Sequence, residues 1–218
     1  MDILTGSRTR DAAPPTGKQA SVQFSPRHVP RHVVAIAASM GGLAALRAVL
    51  SGLPAGFPAA VLVVQHQQGG RASGLAGILD GCGPLPVTEA REGDRVEEGR
   101  VHLAPPDLHL MAVADGTLTL SDAPMEHFSR PSADALFRSV ALHFGARAIA
   151  VVLTGRLGDG SGGVGAVHDA GGTVLAQDPA SAAAGSMPAT SIRTGWVDRV
   201  LALEEIAPAL VDLVSVQA

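Results

Sequence analysis

Cysteine is all but missing from this 218-residue chain: Cys82 stands alone, so neither an internal disulfide framework nor a thiolate zinc cluster can be built from it. Tyrosine is absent, which removes phenolic acid–base chemistry. The single lysine, Lys18, lies far from any glycine-rich turn, and neither a Gly-x-Gly-x-x-Gly fingerprint nor a Walker lysine accompanies the Ser39-Met40-Gly41-Gly42 turn. No run of eighteen uncharged apolar residues occurs. The longest apolar stretches, 33–38 and 59–64, are the size of strands and exclude a membrane-spanning helix. Residues 1–31 contain no contiguous apolar segment of the kind a secretory signal requires. Together these absences predict a cytoplasmic protein.

Charge is scarce too, at 17% of residues with a net of -4, and unevenly spread. The first 31 residues carry Arg8, Arg10, Lys18, Arg27 and Arg31 against Asp2 and Asp11, a net of +3 that leaves -7 on the remainder. An acidic body argues against a nucleic-acid-binding face. What the chain has in quantity is apolar side chain, 46%, together with 26 glycines, enough to bury one substantial core. Residues 1–31 mix Ser, Thr, Pro, Arg and Gly without periodicity and read as a solvated lead-in. The folded domain is expected over 32–218.

From Val33 onward the pattern repeats as apolar strand, glycine-rich turn and Ala/Leu-rich helix. That is the signature of a doubly wound α/β domain, a mostly parallel sheet covered by helices on both faces in a three-layer sandwich. Strands are predicted at 33–38, 60–65, 86–89, 109–113, 117–120, 148–153 and 173–176. Helices are predicted near 41–51, 72–80, 133–144, 161–170 and 203–214. Ala114-Asp115-Gly116 reads as a hairpin turn, which makes the sheet mixed. In such folds ligands bind outside the carboxyl ends of the strands, where loops carry polar groups without burying them.

Three strand ends carry reactive side chains. Residues 33–38 run into Ser39-Met40-Gly41-Gly42 and then a helix, residues 60–65 end at His66, and residues 148–153 run into Thr154-Gly155-Arg156-Leu157-Gly158-Asp159-Gly160. Each has a plain reading: Ser39 as a helix cap, His66 as a satisfied strand-end histidine, Asp159 as a turn or cap aspartate. The Ser39–Gly42 turn can also be read as a phosphate or nucleotide cradle, or the whole as a docking module without catalysis. Taken together, however, a serine, a histidine and an aspartate at one sheet edge supply a nucleophile, a general base and a base-orienting carboxylate. Adjacent placement of the first two strands would set His66 beside Ser39.

The sequence resembles the catalytic domain of the chemotaxis receptor protein-glutamate methylesterases, the CheB family. The resemblance is collinear over roughly 33–203 and rests on Ile36-Ala37-Ala38-Ser39-Met40-Gly41-Gly42, Val64-Gln65-His66, Val101-His102-Leu103-Ala104-Pro105-Pro106-Asp107-Leu108-His109, Arg130-Pro131-Ser132-Ala133-Asp134-Ala135-Leu136-Phe137, Leu153-Thr154-Gly155 with Asp159-Gly160, and Gly185-Ser186-Met187-Pro188. The order Ser, His, Asp differs from that of α/β-hydrolases. The resemblance implies hydrolysis of glutamate γ-methyl esters on receptor helices without a cofactor or metal, with deamidation of glutamines at such sites. It implies Ser39 as nucleophile, His66 as base, Asp159 as orienting carboxylate, and the backbone N–H groups of Met40 and Arg156 as oxyanion donors. Gly41, Gly42, Arg130, Ser132 and Met187 are the expected cleft residues.

Two positions depart from the family pattern. Gln67-Gln68-Gly69-Gly70 replaces a Met-Pro-rich loop, and Arg156 stands where a methionine is usual. The 31 residues ahead of the domain are too few for a phosphoacceptor receiver, so activation is expected from a separate partner. His102, Asp107 and His109 could suggest a metal, but Pro105 and Pro106 break any helix that would align them, and a loop-shaping role is expected instead. Arg130-Pro131-Ser132 reads either as a helix start with Ser132 as cap or as substrate-facing. Met187-Pro188 reads as the end of a loop.

Overall fold

The computed structural model describes residues 29–66 and 74–215. Its first half comprises β1 (Val33–Ala38), α1 (Gly42–Ser51), β2 (Ala60–Gln65), α2 (Leu75–Asp80), β3 (Val87–Glu89) and β4 (Val101–Leu103). There follow β5 (His109–Ala112), β6 (Leu118–Ser121), α3 (Ala133–Phe144), β7 (Ala148–Val152), α4 (Gly163–Asp169), β8 (Thr173–Gln177), α5 (Ser186–Ile192), β9 (Arg199–Leu201) and α6 (Leu203–Ser215). Seven strands form one sheet in the order β3-β4-β2-β1-β7-β8-β9, every pair parallel.

The continuous apolar runs are explained by two-sided burial. Along β1, Val34, Ile36 and Ala38 point into one core with Leu46, Leu50, Ile206 and Leu210, which come from α1 and α6. Val33, Ala35 and Ala37 point into the other, with Leu136, Phe137 and Val140 of α3 and Val164 and Val167 of α4. Each fully buried large aliphatic side chain contributes about 1.5–3 kcal/mol, so a strand apolar on both faces is held only where helices cover both. In α3 the spacing Ala133, Leu136, Phe137, Val140, Phe144 lays one apolar stripe on the sheet.

The expected doubly wound, three-layer architecture is therefore present. The hairpin differs in one respect from its expected place: β5 and β6 pair only with each other and form a separate two-stranded sheet. Leu110, Ala112 and Leu118 bury into the second core and β5 packs on α3, so the hairpin completes that helical layer rather than the sheet.

Three short elements escape the sequence pattern: β4, β9 and α5. A three-residue strand shows no period of two, and β9 is an edge strand with two exposed residues. Met187-Pro188 was expected to end a loop but lies inside α5, where Pro188 is the third residue. Proline is tolerated there because first-turn N–H groups have no intrahelical acceptor. His102 and His109 stand in β4 and β5 rather than in loops. Of the lead-in, residues 1–28 lie outside the described residues. Val29 packs on the second core, and the Arg31 N–H donates to Glu98 Oε1 at 2.8 Å.

Candidate active site

The sheet order decides what its carboxyl edge brings together. β1 lies between β2 and β7, and the chain leaves it toward β2 on one side and returns by β7 on the other, a topological switch point where a crevice forms. The register aligns Ala38 with Gln65 and Ala37 with Val152, so Ser39, His66 and the loop after β7 emerge side by side. The His66 N–H donates to Ala38 O at 3.0 Å and the Ser39 N–H to Thr154 O at 2.9 Å.

Ser39 does not cap α1. The N-cap is Gly41, with φ 78° and no side-chain cap bond, and Ser39 Oγ makes no hydrogen bond among the described residues. Gly41 is required twice over: its φ is positive, and a Cβ there would come within 2.6 Å of Ala183 Cβ. A Cβ on Gly42 would collide with the Gln65 side chain. Gln65 uses that space to hold the turns after β1 and β2, its Nε2 donating to Ser39 O and to His66 O, each at 2.9 Å.

His66 and Asp159, 93 positions apart, meet at 2.7 Å between Nε2 and Oδ2. With Nε2–H donating to the carboxylate, the lone pair of the neutral ring sits on Nδ1, and that nitrogen is the one able to accept a proton. The carboxylate is itself immobilised. Its Oδ1 accepts from Ser132 Oγ at 2.7 Å and from Asp134 N–H at 3.2 Å, and its Oδ2 accepts from Ala133 N–H at 2.7 Å. These N–H groups are the first of α3, so the aspartate occupies the positive end of that helix. Burial pushes the Asp159 carboxyl up. The hydrogen bonds from His66, Ala133 and Ser132, with the charge of His66, outweigh it and hold the group below the ordinary carboxylate range.

The expected cleft residues divide. Ser132 is fully buried and acts through Asp159, as the cap of α3 and a donor to the carboxylate. Met187 is also fully buried: it packs beneath Gly155, where an added Cβ would meet Met187 Sδ at 2.7 Å and Ser39 Cβ at 2.8 Å. Both support the floor of the site and do not line its mouth, because neither presents surface to a docked protein. Gly42 is buried likewise, whereas Gly41 is exposed. Arg130 lines a cleft of about 240 Å³ together with His66, Asp107 and Phe128, its Nη1 held by the carbonyls of Asp122 and Ala123 at 2.6 and 3.0 Å.

The backbone N–H groups of Met40 and Arg156 donate to no acceptor among the described residues, although their neighbours at Ser39, Gly42 and Gly155 all do. The loop 67–70 lies outside the described residues. Among them, His127, Asp134 and Asp159 bring potential ligand atoms within 4.8 Å of one another, but these atoms are committed to the bonds described and to one between His127 Nδ1 and Asp134 Oδ2 at 2.6 Å. His102, Asp107 and His109 form no such group.

Thr154, to which the sequence assigns no role, and His109, expected to shape a loop, brace the turns around Ser39 and Ser132. Thr154, 1% exposed, donates from Oγ1 to Met40 O and accepts from Ala184 N–H, each at 2.9 Å, tying the Ser39 turn to the loop before α5. Its signal was a polar residue directly after a fully apolar strand. His109 accepts from Ser132 N–H at its Nδ1 and is hydrogen-bonded to Pro124 O through Nε2, both at 3.1 Å. Thr154→Val is expected to keep the shape but lose two part-buried hydrogen bonds, to Met40 O and from Ala184 N–H, destabilising the fold by about 1–3 kcal/mol at about 0.5–1.5 kcal/mol each and lowering turnover. Thermal melts and steady-state rates of the variant check this, and unchanged values for both would refute the strap.

The class these features define is a parallel α/β protein with a hydroxyl, an imidazole and a buried, hydrogen-bonded carboxylate gathered at the switch point of the sheet. Residues 34–210 match the family model described as CheB methylesterase, and the chain belongs to that family. It is 47% identical over 203 residues to protein-glutamate methylesterase/protein-glutamine glutaminase 3 of Anaeromyxobacter dehalogenans, covering 92% of this chain and 57% of that protein. It is 46% identical over 178 residues to enzyme 4 of that name in Myxococcus xanthus, covering 82% and 50%. The crystal structure of the Thermotoga maritima CheB methylesterase catalytic domain superposes with a TM-score of 0.80 at 36% identity, covering 84% of this chain and 98% of that one. The chain thus spans about half of the length of the curated relatives it matches, and nearly all of the solved catalytic domain.

Proposed function

We propose that this protein hydrolyses glutamate γ-methyl esters on helical, chemoreceptor-type proteins of the cytoplasm, and deamidates glutamines presented in the same way. Ser39 Oγ attacks the ester carbonyl as His66 Nδ1 takes its proton, and the tetrahedral oxyanion faces the N–H groups of Met40 and Arg156. His66 returns the proton to the departing oxygen, releasing methanol and leaving an acyl-serine. Water, deprotonated by the same nitrogen, attacks that acyl group and frees the glutamate carboxylate. From glutamine the departing group is ammonia. The observation that carries this reading is the connected set of bonds from the N-terminus of α3 through Asp159 to His66, beside a serine hydroxyl that makes no hydrogen bond among the described residues. An oxyanion donor of this kind contributes about 10²–10³ in rate.

The test is a serine-directed phosphonate with intact-mass detection, followed by methanol assay on a methylated receptor fragment. An adduct mapped to Ser39 together with methanol release is the expected outcome. No adduct, combined with thermal stabilisation by nucleotide or phosphate, would overturn the hydrolase in favour of an anion-binding turn.

A further inference from the structure

We infer that the groove along the start of α1 is a substrate subsite, in which Arg47 receives a carboxylate side chain of the substrate helix one to two turns from the methylated glutamate. This rests on the methylesterase reading of Ser39. The groove, of about 430 Å³, runs from Ser39 past Gly41, Leu43 and Ala44 to Arg47, with Gln65 at its wall. Its surface is predominantly apolar, and Leu43 is exposed in it. At its far end Arg47 is exposed and forms no ion pair or hydrogen bond among the described residues. No acid stands anywhere in α1, whose sequence is GLAALRAVLS.

Two of the described arginines are neutralised by a local carboxylate. Arg138 pairs with Glu126 at 2.6 Å and Arg100 with Glu97 at 2.8 Å. Arg47 is left as an unneutralised cation at the end of a groove whose other end is the nucleophile. It stands five positions after Gly42, about 7.5 Å along the helix axis at about 1.5 Å per residue. A substrate helix lying in the groove with its ester at Ser39 would place residues four to seven positions away at a comparable distance, about 6–10.5 Å. A glutamate at such a position meets the guanidinium, with its own helix shielding one side from water. A lysine there is repelled, so the subsite selects as well as binds.

Two methylated helical fragments decide the matter, identical except for Glu or Gln at positions four and seven from the methyl ester, assayed for methanol release at low and high salt. With the wild-type protein the Glu fragment is expected to show a KM about three-fold lower than the Gln fragment, a difference shrinking in high salt. Arg47→Ala should erase the difference, Arg47→Glu should reverse it to about ten-fold in the opposite sense, and Arg47→Lys should keep most of it. In each variant kcat on the Gln fragment should change by less than about two-fold, which separates a binding role from disturbance of the nucleophile. Equal KM values for the two fragments with wild-type protein, or a preference for Glu that survives Arg47→Glu, would overturn the subsite while leaving the esterase standing. Absence of methanol from both fragments would overturn the two readings together.

Discussion

Ser39→Ala is expected to lower methanol release by about 10⁴- to 10⁶-fold while leaving the melting temperature within a few degrees of the parent. The hydroxyl has no hydrogen-bond partner among the described residues to lose, and the Ser39 N–H and C=O, which hold the turn, are untouched by the substitution. His66→Ala should cost a similar factor. The double variant should be scarcely worse than either single one, because a nucleophile without its base and a base without its nucleophile are equally idle. What remains in all three is the rate due to binding and the oxyanion donors, about 10³–10⁴ above water in enzymes of this kind. Methanol release and thermal melts on the three variants check this. More than about a tenth of the parental rate in Ser39→Ala would remove covalent catalysis from the account.

Asp159→Asn has the second largest expected effect, and it should damage both activity and folding. Every partner of the carboxylate is a donor: Ser132 Oγ and Asp134 N–H on Oδ1, His66 Nε2 and Ala133 N–H on Oδ2. An amide NH₂ in either position faces an N–H of α3 that has nothing to give it, so one buried group is left unsatisfied at about 1–3 kcal/mol. If the amide turns its NH₂ toward His66, the ring must present a lone pair at Nε2 and carry its proton on Nδ1, the nitrogen that has to receive the proton of Ser39. A fall of about 10³- to 10⁴-fold in kcat is expected from the misplaced proton alone.

The pH dependence of stability gives an independent readout of the same carboxylate. Because its folded pKa lies below the ordinary value of 3.8, the native state resists the proton that the unfolded chain accepts. The stability it contributes is fully present above that value and is lost as pH falls through the lower folded pKa. Asp134 has the opposite sign: burial raises its pKa despite the Gly163 N–H and His127, so its protonation on acidification stabilises the fold between that raised value and 3.8. Melts below pH 4 should therefore steepen their decline in the parent and lose that limb in Asp159→Asn. A parallel acid decline in both would show that Asp159 is not held as described.

The layers and the edge on which the site lies follow from the sequence alone. Runs such as 33–38 and 60–65 are apolar at every position, which only a strand covered on both faces accommodates. Polar residues directly after such runs are confined to the end of the strand, where water or another polar group can reach them. That reasoning located Ser39, His66 and Asp159 and assigned the first two to neighbouring strands. The stripe 133–144 fixed α3 for the same reason, since apolar side chains three and four apart must share one face.

Tertiary structure alone decided how Asp159 reaches His66. Nothing in the separation of His66 and Asp159 says that β7 pairs with β1 on the side opposite β2. That order arises from how crossover helices of particular lengths cover the two faces, which depends on all of them at once. The same is true of the carboxylate's anchorage: Ser132 reads equally as a cap or as a cleft residue until α3 is docked with its N-terminus against Asp159, and it is then both cap and donor. Met187, expected as a cleft residue, lies under the floor, because α5 begins where a short proline-containing segment shows no helical period. Burial of a side chain is a property of what packs over it, and for three-residue strands and one-turn approaches that partner is distant in the chain. The groove that ends at Arg47 exists only because α1 begins at Gly42, hard against Gln65 of the neighbouring strand, with Ser39 half-buried ahead of it.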